Sequence, residues 1–160
     1  DQVVAALVGI LRDSDPFLRR DAARALANWG NAASVPALIA RLNDPQMTVR
    51  WAAIDALGSR RDPRGMEPVA RHLGSGREIA AAVNALQFFG RAVPGIEPHL
   101  LSLMKNKNST VRVETSRLLA TFGTDKSAPT LTLAAKDADA AVAKAASAAL
   151  EVIRKRTRPK

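Results

Sequence analysis

The chain has 160 residues, of which 47% are hydrophobic and 4% aromatic, so it can bury the core of one domain but offers few rings for stacking. It has no cysteine, which excludes disulfide bridges, thiolate zinc sites and a cysteine nucleophile. Its formal net charge of +9 favours an anionic partner, while its longest apolar run, Val3 to Leu11, is too short for a membrane helix of about 20 residues.

The positive charge is concentrated at the end of the chain. The rest of the chain has 19 basic and 15 acidic residues, whereas the last seven residues include five cations: Arg154, Lys155, Arg156, Arg158 and Lys160. We therefore predict a single domain over residues 1–153 and a basic tail over residues 154–160. Two interpretations of the tail remain open: a segment that contacts an anionic partner, or a solvated helix end followed by a disordered terminus.

The chain opens with a helical pattern in which four apolar residues share one face: Val4, Leu7, Val8 and Leu11. After it, a nine-residue segment recurs five times without internal gaps and closes on a leucine, with spacings of 31, 29, 33 and 31 residues. The closing residues are Leu26, Leu57, Leu86, Leu119 and Leu150. Each segment has apolar or small residues on one helical face, which predicts an amphipathic helix, here called the A helix.

A second apolar pattern follows the first four A helices and starts near a proline, at Pro36, Pro68, Pro98 or Pro129. Proline suits the first turn of a helix because its missing N–H had no partner there. This pattern predicts a second helix in each repeat, here called the B helix. Three glycines that closely follow the A segments are expected to end those helices: Gly30, Gly90 and Gly123. Gly58 comes earlier, directly after Leu57.

Two stretches resemble the HEAT repeat: Asp15-Pro16 with Leu18-Arg19, and Asp44-Pro45 with Val49-Arg50. The short spacing is similar to that of the bacterial HEAT-like class that includes phycobilin lyase subunits. The resemblance implies an all-α fold, a right-handed α-solenoid (superhelix) of about five two-helix repeats. It implies no particular function, since such arrays serve many unrelated partners. Because a lone B helix opens the chain and a lone A helix closes it, we expect further repeats upstream, in a longer array.

An arginine near the start of the A segment recurs as Arg19, Arg50 and Arg112. The HEAT resemblance implies that these arginines are structural and that each pairs with an acidic group of an adjacent turn. The candidate partners are Asp13, Asp15 and Asp44.

No constellation of catalytic or metal-binding residues is recognisable in the sequence. The two histidines, His72 and His99, fall on successive B helices, and with Glu67 and Glu97 they match no compact ligand spacing. We therefore expect both histidines at the surface. We also predict that the protein is not an enzyme and needs no metal or cofactor.

Two features depart from the repeat pattern. Trp51 lies outside the core register of its A helix, four residues before Asp55. It is interpreted either as packing against a neighbouring A helix or as an anchor for a partner, because tryptophan is enriched at interface hot spots. HEAT-like DNA glycosylases also use a Trp and an Asp, but nothing else here matches those enzymes. Arg60 replaces an apolar residue, so we expect it, with Arg64, in a solvent-exposed or anion-contacting loop.

The HEAT resemblance implies that the B helices line the concave surface. The predicted partner-binding residues are Arg41, Arg60, Arg64, Arg71, His72, His99 and Trp51. We predict a non-catalytic scaffold that binds an acidic protein or peptide there, because arginine pairs well with carboxylates. One alternative is binding of a nucleic-acid backbone by the basic groove and tail, and another is a subunit of a lyase-like enzyme. The cytoplasm is the default location for a chain with no visible signal peptide.

Overall fold

The computed structural model of the chain describes residues 2–92 and 94–157. In these residues all regular structure is helical: ten α-helices and one short 3₁₀-helix, Asp125–Ser127. The α-helices are α1 (Gln2–Ile10), α2 (Pro16–Trp29), α3 (Val35–Arg41), α4 (Met47–Arg60), α5 (Pro63–Gly74), α6 (Ile79–Ala92), α7 (Ile96–Leu103), α8 (Ser109–Phe122), α9 (Ala128–Ala134) and α10 (Ala140–Thr157). The odd-numbered helices are the B helices and the even-numbered helices are the A helices. None of the described helices is both long and apolar enough to cross a membrane.

Helix starts follow the expected chemistry of N-caps. The side chains of Asp15, Asp62 and Asn108 accept hydrogen bonds from backbone N–H groups in the first turns of α2, α5 and α8. At the other end, α2 and α8 stop before Gly30 and Gly123, as the sequence predicts.

Two predicted helix boundaries are wrong, the end of α6 at Gly90 and the start of α5 near Pro68. Helix α4 continues past Gly58 to Arg60, and Arg61 takes the left-handed conformation (φ 53°) that usually favours glycine. Helix α6 likewise continues past Gly90. Helix α5 begins at Pro63, so Pro68 lies inside it instead of starting it. In α5 the N-cap Asp62 and the first-turn Pro63 determine the start.

The helices pack in two compact units, one that ends at Pro94 and one that starts at Gly95. In the first unit, α1, α3 and α5 pack against α2, α4 and α6, and the A helices α2, α4 and α6 pack side by side. In the second unit, α7 and α9 pack against α8 and α10, and α8 packs against α10. The predicted all-helical architecture of stacked helix pairs is confirmed.

The closing leucines of the A segments form the centre of each core. Leu26, Leu57, Leu86 and Leu119 are at most 1% exposed, and Leu150 is buried as well. The same helical face continues to Phe89 in α6 and Ile153 in α10, which are fully buried. Trp29, at the end of α2, is 68% exposed.

The first residues of the predicted basic tail are helical. Helix α10 runs through Ile153 to Thr157, so Arg154, Lys155 and Arg156 belong to its last turns. The Arg156 guanidinium donates to the backbone carbonyls of Ala120, Thr121 and Gly123 at the end of α8. The remaining tail residues, Arg158, Pro159 and Lys160, lie outside the described residues.

Candidate protein-interaction surface

Arginines near the start of three A helices, α2, α4 and α8, each join one repeat to the next. Arg19 is buried and donates two hydrogen bonds to the carboxylate of Asp44, at 2.8 and 2.9 Å, across a separation of 25 residues. Its Nη1 also donates to the carbonyls of Asp13 and Ser14, at 2.8 and 2.9 Å. The structural interpretation of Arg19 and its pairing with Asp44 are confirmed. The carboxylates of Asp13 and Asp15 instead accept from backbone N–H groups of their own turn.

Asp44 stays ionised in this buried position. Burial alone would raise the pKa of its carboxyl, but the hydrogen bonds from Arg19 and from the backbone N–H of Gln46 outweigh burial and hold that pKa below its ordinary value. The Arg41 guanidinium lies 3.4 Å from the same carboxylate. Arg41, predicted to bind a partner, is therefore already engaged with a buried anion of its own chain.

Arg112 repeats the arrangement in the second unit. It donates to both carboxylate oxygens of Asp137 at 2.9 Å and to the carbonyls of Asn106 and Lys107. The hydrogen bonds from Arg112 lower the pKa of Asp137, which nearby backbone N–H groups also favour as the anion. The spacing of 25 residues between arginine and aspartate is the same as in the first pair.

Arg50 pairs with a glutamate, Glu78, instead of an aspartate, and Glu78 also contacts His72. Its guanidinium donates to Glu78 Oε1 at 2.6 and 3.0 Å, and Glu78 Oε2 lies 2.6 Å from His72 Nε2. Burial opposes ionisation of Glu78, but the hydrogen bonds from Arg50 and His72 lower its pKa below the ordinary value. The expectation that His72 is a surface residue is wrong: the residue is 8% exposed because its ring completes this buried cluster.

A groove lies between the B helices α3 and α5, beside the Glu78 cluster. It has a volume of about 270 Å³ and is lined by Ile39, Leu42, Asn43, Pro68, Arg71, His72, Ser75 and Arg77. Arg71 is 73% exposed and pairs with Glu67 at 2.5 Å, one turn earlier on α5. Arg77 follows α5 and is also exposed. Of the predicted partner-binding residues, Arg71 and His72 therefore line this groove. Arg77 also lines it, although it was not among the residues predicted from the sequence.

Arg60 and Arg64 have structural contacts that the sequence did not reveal. The Arg60 guanidinium donates to the carbonyls of Asn28 and Gly30, at 3.2 and 2.8 Å, so it satisfies the end of α2. The expectation that Arg60 lies in a solvent-exposed loop is therefore wrong. Arg64 donates to Asp62 and to the carbonyl of Ala32, both at 2.7 Å, yet its side chain stays 52% exposed.

Trp51 lies outside the core, as its register predicts, and is 47% exposed on α4. It lines a second pocket, between the A helices α2 and α4, with Arg20, Arg24, Thr48, Ala52 and Asp55. His99 lies on α7 in the second unit and is partly exposed.

The two glutamates considered as metal ligands have other roles. Glu97 accepts hydrogen bonds from Ser127 and from the N–H and hydroxyl of Thr124, and these lower its pKa against the opposing effect of burial. Glu67 pairs with Arg71. In the described parts of the chain, no three acidic or imidazole side chains converge on a point where a metal ion could bind.

Comparison with known proteins supports the architecture. The family model for HEAT repeats matches residues 4–87, which include α1 to α5 and most of α6. No curated protein matches this chain.

Proposed function

Because the chain belongs to the HEAT-repeat family, we propose that it is a non-catalytic scaffold that holds an acidic segment of a partner protein in the groove between α3 and α5. HEAT repeats generally mediate protein interactions. The choice of this groove, and of an acidic partner, follows from the residues that line the groove. The observation that supports it best is an apolar floor beside two exposed arginines.

The floor and the rim of the groove suit different parts of a peptide. Ile39, Leu42 and Pro68 supply apolar surface, which favours burial of an aliphatic side chain. Arg71 and Arg77 supply guanidinium groups at the exposed edge, where they can form bidentate hydrogen bonds with a carboxylate. Such a polar rim around an apolar centre is the usual anatomy of a protein interface.

A peptide suits this groove better than a nucleic acid does. The lining of the groove includes no Phe, Tyr or Trp, and the ring of His72 is buried against Glu78, so the lining offers no exposed ring on which a base could stack. Arg71 already shares its charge with Glu67, so a ligand must compete with an internal carboxylate. Glu67 opposes peptide carboxylates and phosphates alike, so the preference for a peptide depends on the apolar floor and on the lack of an exposed ring.

The test is the binding of a fluorescein-labelled peptide, Asp-Glu-Asp-Leu-Asp-Glu-Asp, measured by fluorescence anisotropy at low and moderate salt. We expect saturable binding by the natural chain and a loss of about tenfold or more in affinity for the double variant Arg71→Gln, Arg77→Gln. The matched control, Arg12→Gln with Arg91→Gln, makes the same change in net charge at two other exposed arginines and should bind as the natural chain does.

Equal loss in both double variants would show that only net charge matters, and it would overturn the proposal. A labelled DNA duplex that binds more tightly than the peptide, and depends on Arg71 and Arg77, would favour the nucleic-acid alternative instead. In that case the logarithm of the affinity should fall linearly with the logarithm of the salt concentration.

A further inference from the structure

The pocket between α2 and α4 is separate from the groove between the B helices and has no part in the function proposed above. It lies on the A helices, has a volume of about 350 Å³ and contains the exposed Trp51. Its lining combines one aromatic ring with both signs of charge: Arg20, Arg24, Thr48, Trp51, Ala52 and Asp55.

The repeat aligns the two walls of this pocket. Equivalent residues of α2 and α4 are 31 positions apart, as Leu26 and Leu57 are, so Arg20 corresponds to Trp51 and Arg24 to Asp55. The two levels are four residues apart on each helix, a rise of about 6 Å. The pocket therefore has two levels. The first, called the aromatic level, has Trp51 opposite Arg20. The second, one turn further along and called the charged level, has the guanidinium of Arg24 on one wall and the carboxylate of Asp55 on the other.

The two arginines of the α2 wall differ in their surroundings. Arg20 is positioned by its own neighbours, since it donates to Asp21 at 2.8 Å and its guanidinium lies over the Phe17 ring at 5.3 Å. Arg24 is exposed, and so is Asp55 opposite it on α4. Arg20 is thus held by its own neighbours, while Arg24 and Asp55 are open to a ligand.

We propose that this pocket is a second docking site, for an extended peptide segment in which an apolar and an acidic side chain are separated by one residue. In an extended chain, side chains on the same face repeat about every 6.7 Å, close to the rise between the two levels of the pocket. The apolar side chain packs on Trp51, and the acidic side chain pairs with Arg24. A backbone N–H of the peptide donates to Asp55.

Asp55 makes the site selective for a peptide. Asp55 repels any anion, but a peptide can offset this repulsion with a backbone N–H that donates to the carboxylate, whereas a phosphodiester chain has no such donor. A peptide offers such a donor at every residue except proline. Tryptophan and arginine, the two anchors of the proposed site, are among the residues most enriched at interface hot spots.

The test uses Trp51 itself as the reporter. The chain has two tryptophans, so the variant Trp29→Phe leaves Trp51 as its only one, and the replaced residue is 68% exposed. The probe is the peptide Ser-Glu-Ser-Leu-Ser-Glu-Ser, and the matched control is Ser-Ser-Glu-Leu-Glu-Ser-Ser, which has the same composition but places glutamate on the opposite face from leucine. We expect the probe to shift Trp51 emission to the blue and saturate, with about tenfold weaker binding of the control peptide.

Three variants locate the binding. Arg24→Gln should weaken the Trp51 emission response about tenfold, whereas Arg71→Gln with Arg77→Gln should leave that response unchanged, because Trp51 reports only on the pocket between α2 and α4. In the chain with Arg71→Gln and Arg77→Gln, Trp51→Phe should retain binding, measured by the anisotropy of a labelled probe. All of these positions are exposed, and circular dichroism checks that each variant is folded.

The inference is overturned if the emission change does not saturate, if the two peptides bind equally, or if Arg24→Gln has no effect. Loss of binding only in the Arg71 and Arg77 variant would place the peptide in the groove of the B helices. A DNA duplex that produces the same saturable change of Trp51, and loses it with Arg24→Gln, would assign the pocket to phosphate instead.

Discussion

The pair of Arg19 and Asp44 allows the sharpest test of how the first unit is stabilised. Arg19 is 7% exposed and Asp44 is 3% exposed, and four hydrogen bonds of the guanidinium join α2 to the loop before it and to the loop before α4. Arg19→Met removes this guanidinium and leaves a buried carboxylate, a change that typically costs about 3–5 kcal/mol. Because Arg41 and the N–H of Gln46 still contact Asp44, we expect about 3 kcal/mol.

The measurement is urea unfolding followed by circular dichroism, repeated over a range of pH. The pKa of Asp44 is lowered in the folded chain, so the stability that the pair supplies is complete above the ordinary aspartate pKa of about 3.9 and is lost as the pH falls through the lowered folded value. The difference between the natural chain and Arg19→Met should therefore be largest at pH 5 and above, and it should narrow towards about pH 3 and below.

Arg12→Met is the control, since Arg12 is an exposed arginine in the turn that follows α1. It removes one positive charge without disturbing a buried anion, so its urea midpoint should stay close to that of the natural chain. Equal midpoints for Arg19→Met and Arg12→Met at neutral pH would refute the structural role of the buried pair. A difference that stays constant down to pH 2 would refute the assignment of its pH dependence to Asp44.

Two further predictions concern the contacts between neighbouring A helices. Gly58→Ala should destabilise the chain by about 1–2 kcal/mol, because the new Cβ would lie 2.8 Å from Ala85 Cα in α6. This overpacking outweighs the gain of up to about 1 kcal/mol in helix propensity. Gly9→Ala should instead stabilise the chain, because nothing lies within 4 Å of its new Cβ. Urea midpoints of the two alanine variants decide the sign. Arg60→Ala should cost about 1 kcal/mol and speed amide exchange in the last turn of α2, since it removes two hydrogen bonds to the Asn28 and Gly30 carbonyls; unchanged exchange there would contradict the capping role.

The repeat and its core could be predicted because they depend on periodic, local features. Leu26, Leu57, Leu86 and Leu119 recur at nearly constant spacing, and a buried helical face needs such a period. Arg19 could also be assigned a structural role, because an arginine recurs at the equivalent positions 50 and 112 and the HEAT resemblance implies an acidic partner for it. These features do not depend on how any one loop is folded.

The contacts that the sequence did not reveal depend on irregular loops. Glu78 replaces the aspartate of the other pairs at a spacing of 28 instead of 25 residues, and it does so with a left-handed backbone (φ 44°). That conformation is uncommon for a glutamate, so no sequence pattern indicates it. The burial of His72 follows from Glu78 and could not be foreseen without it.

Arg60 and Arg156 show a second reason for the missed contacts. Each ends an A helix and donates to the final carbonyls of the preceding A helix, beside Gly30 and Gly123 respectively. An arginine at a position that is otherwise apolar indicates solvent exposure only if no acceptor is within reach. Here the neighbouring helix end supplies unpaired carbonyls, which a long guanidinium side chain can satisfy while its stem covers apolar surface.

A net positive charge is therefore a poor guide to the binding surface of this chain. Arg19, Arg50 and Arg112 bridge repeats and Arg60 satisfies a helix end, so substituting them should lower stability first and affinity only as a consequence. Arg71 on α5, Arg77 in the loop after α5 and Arg24 on α2 are exposed and take no part in the core. Substituting these three should change affinity without changing the urea midpoint, because their charges act on a ligand rather than on the fold.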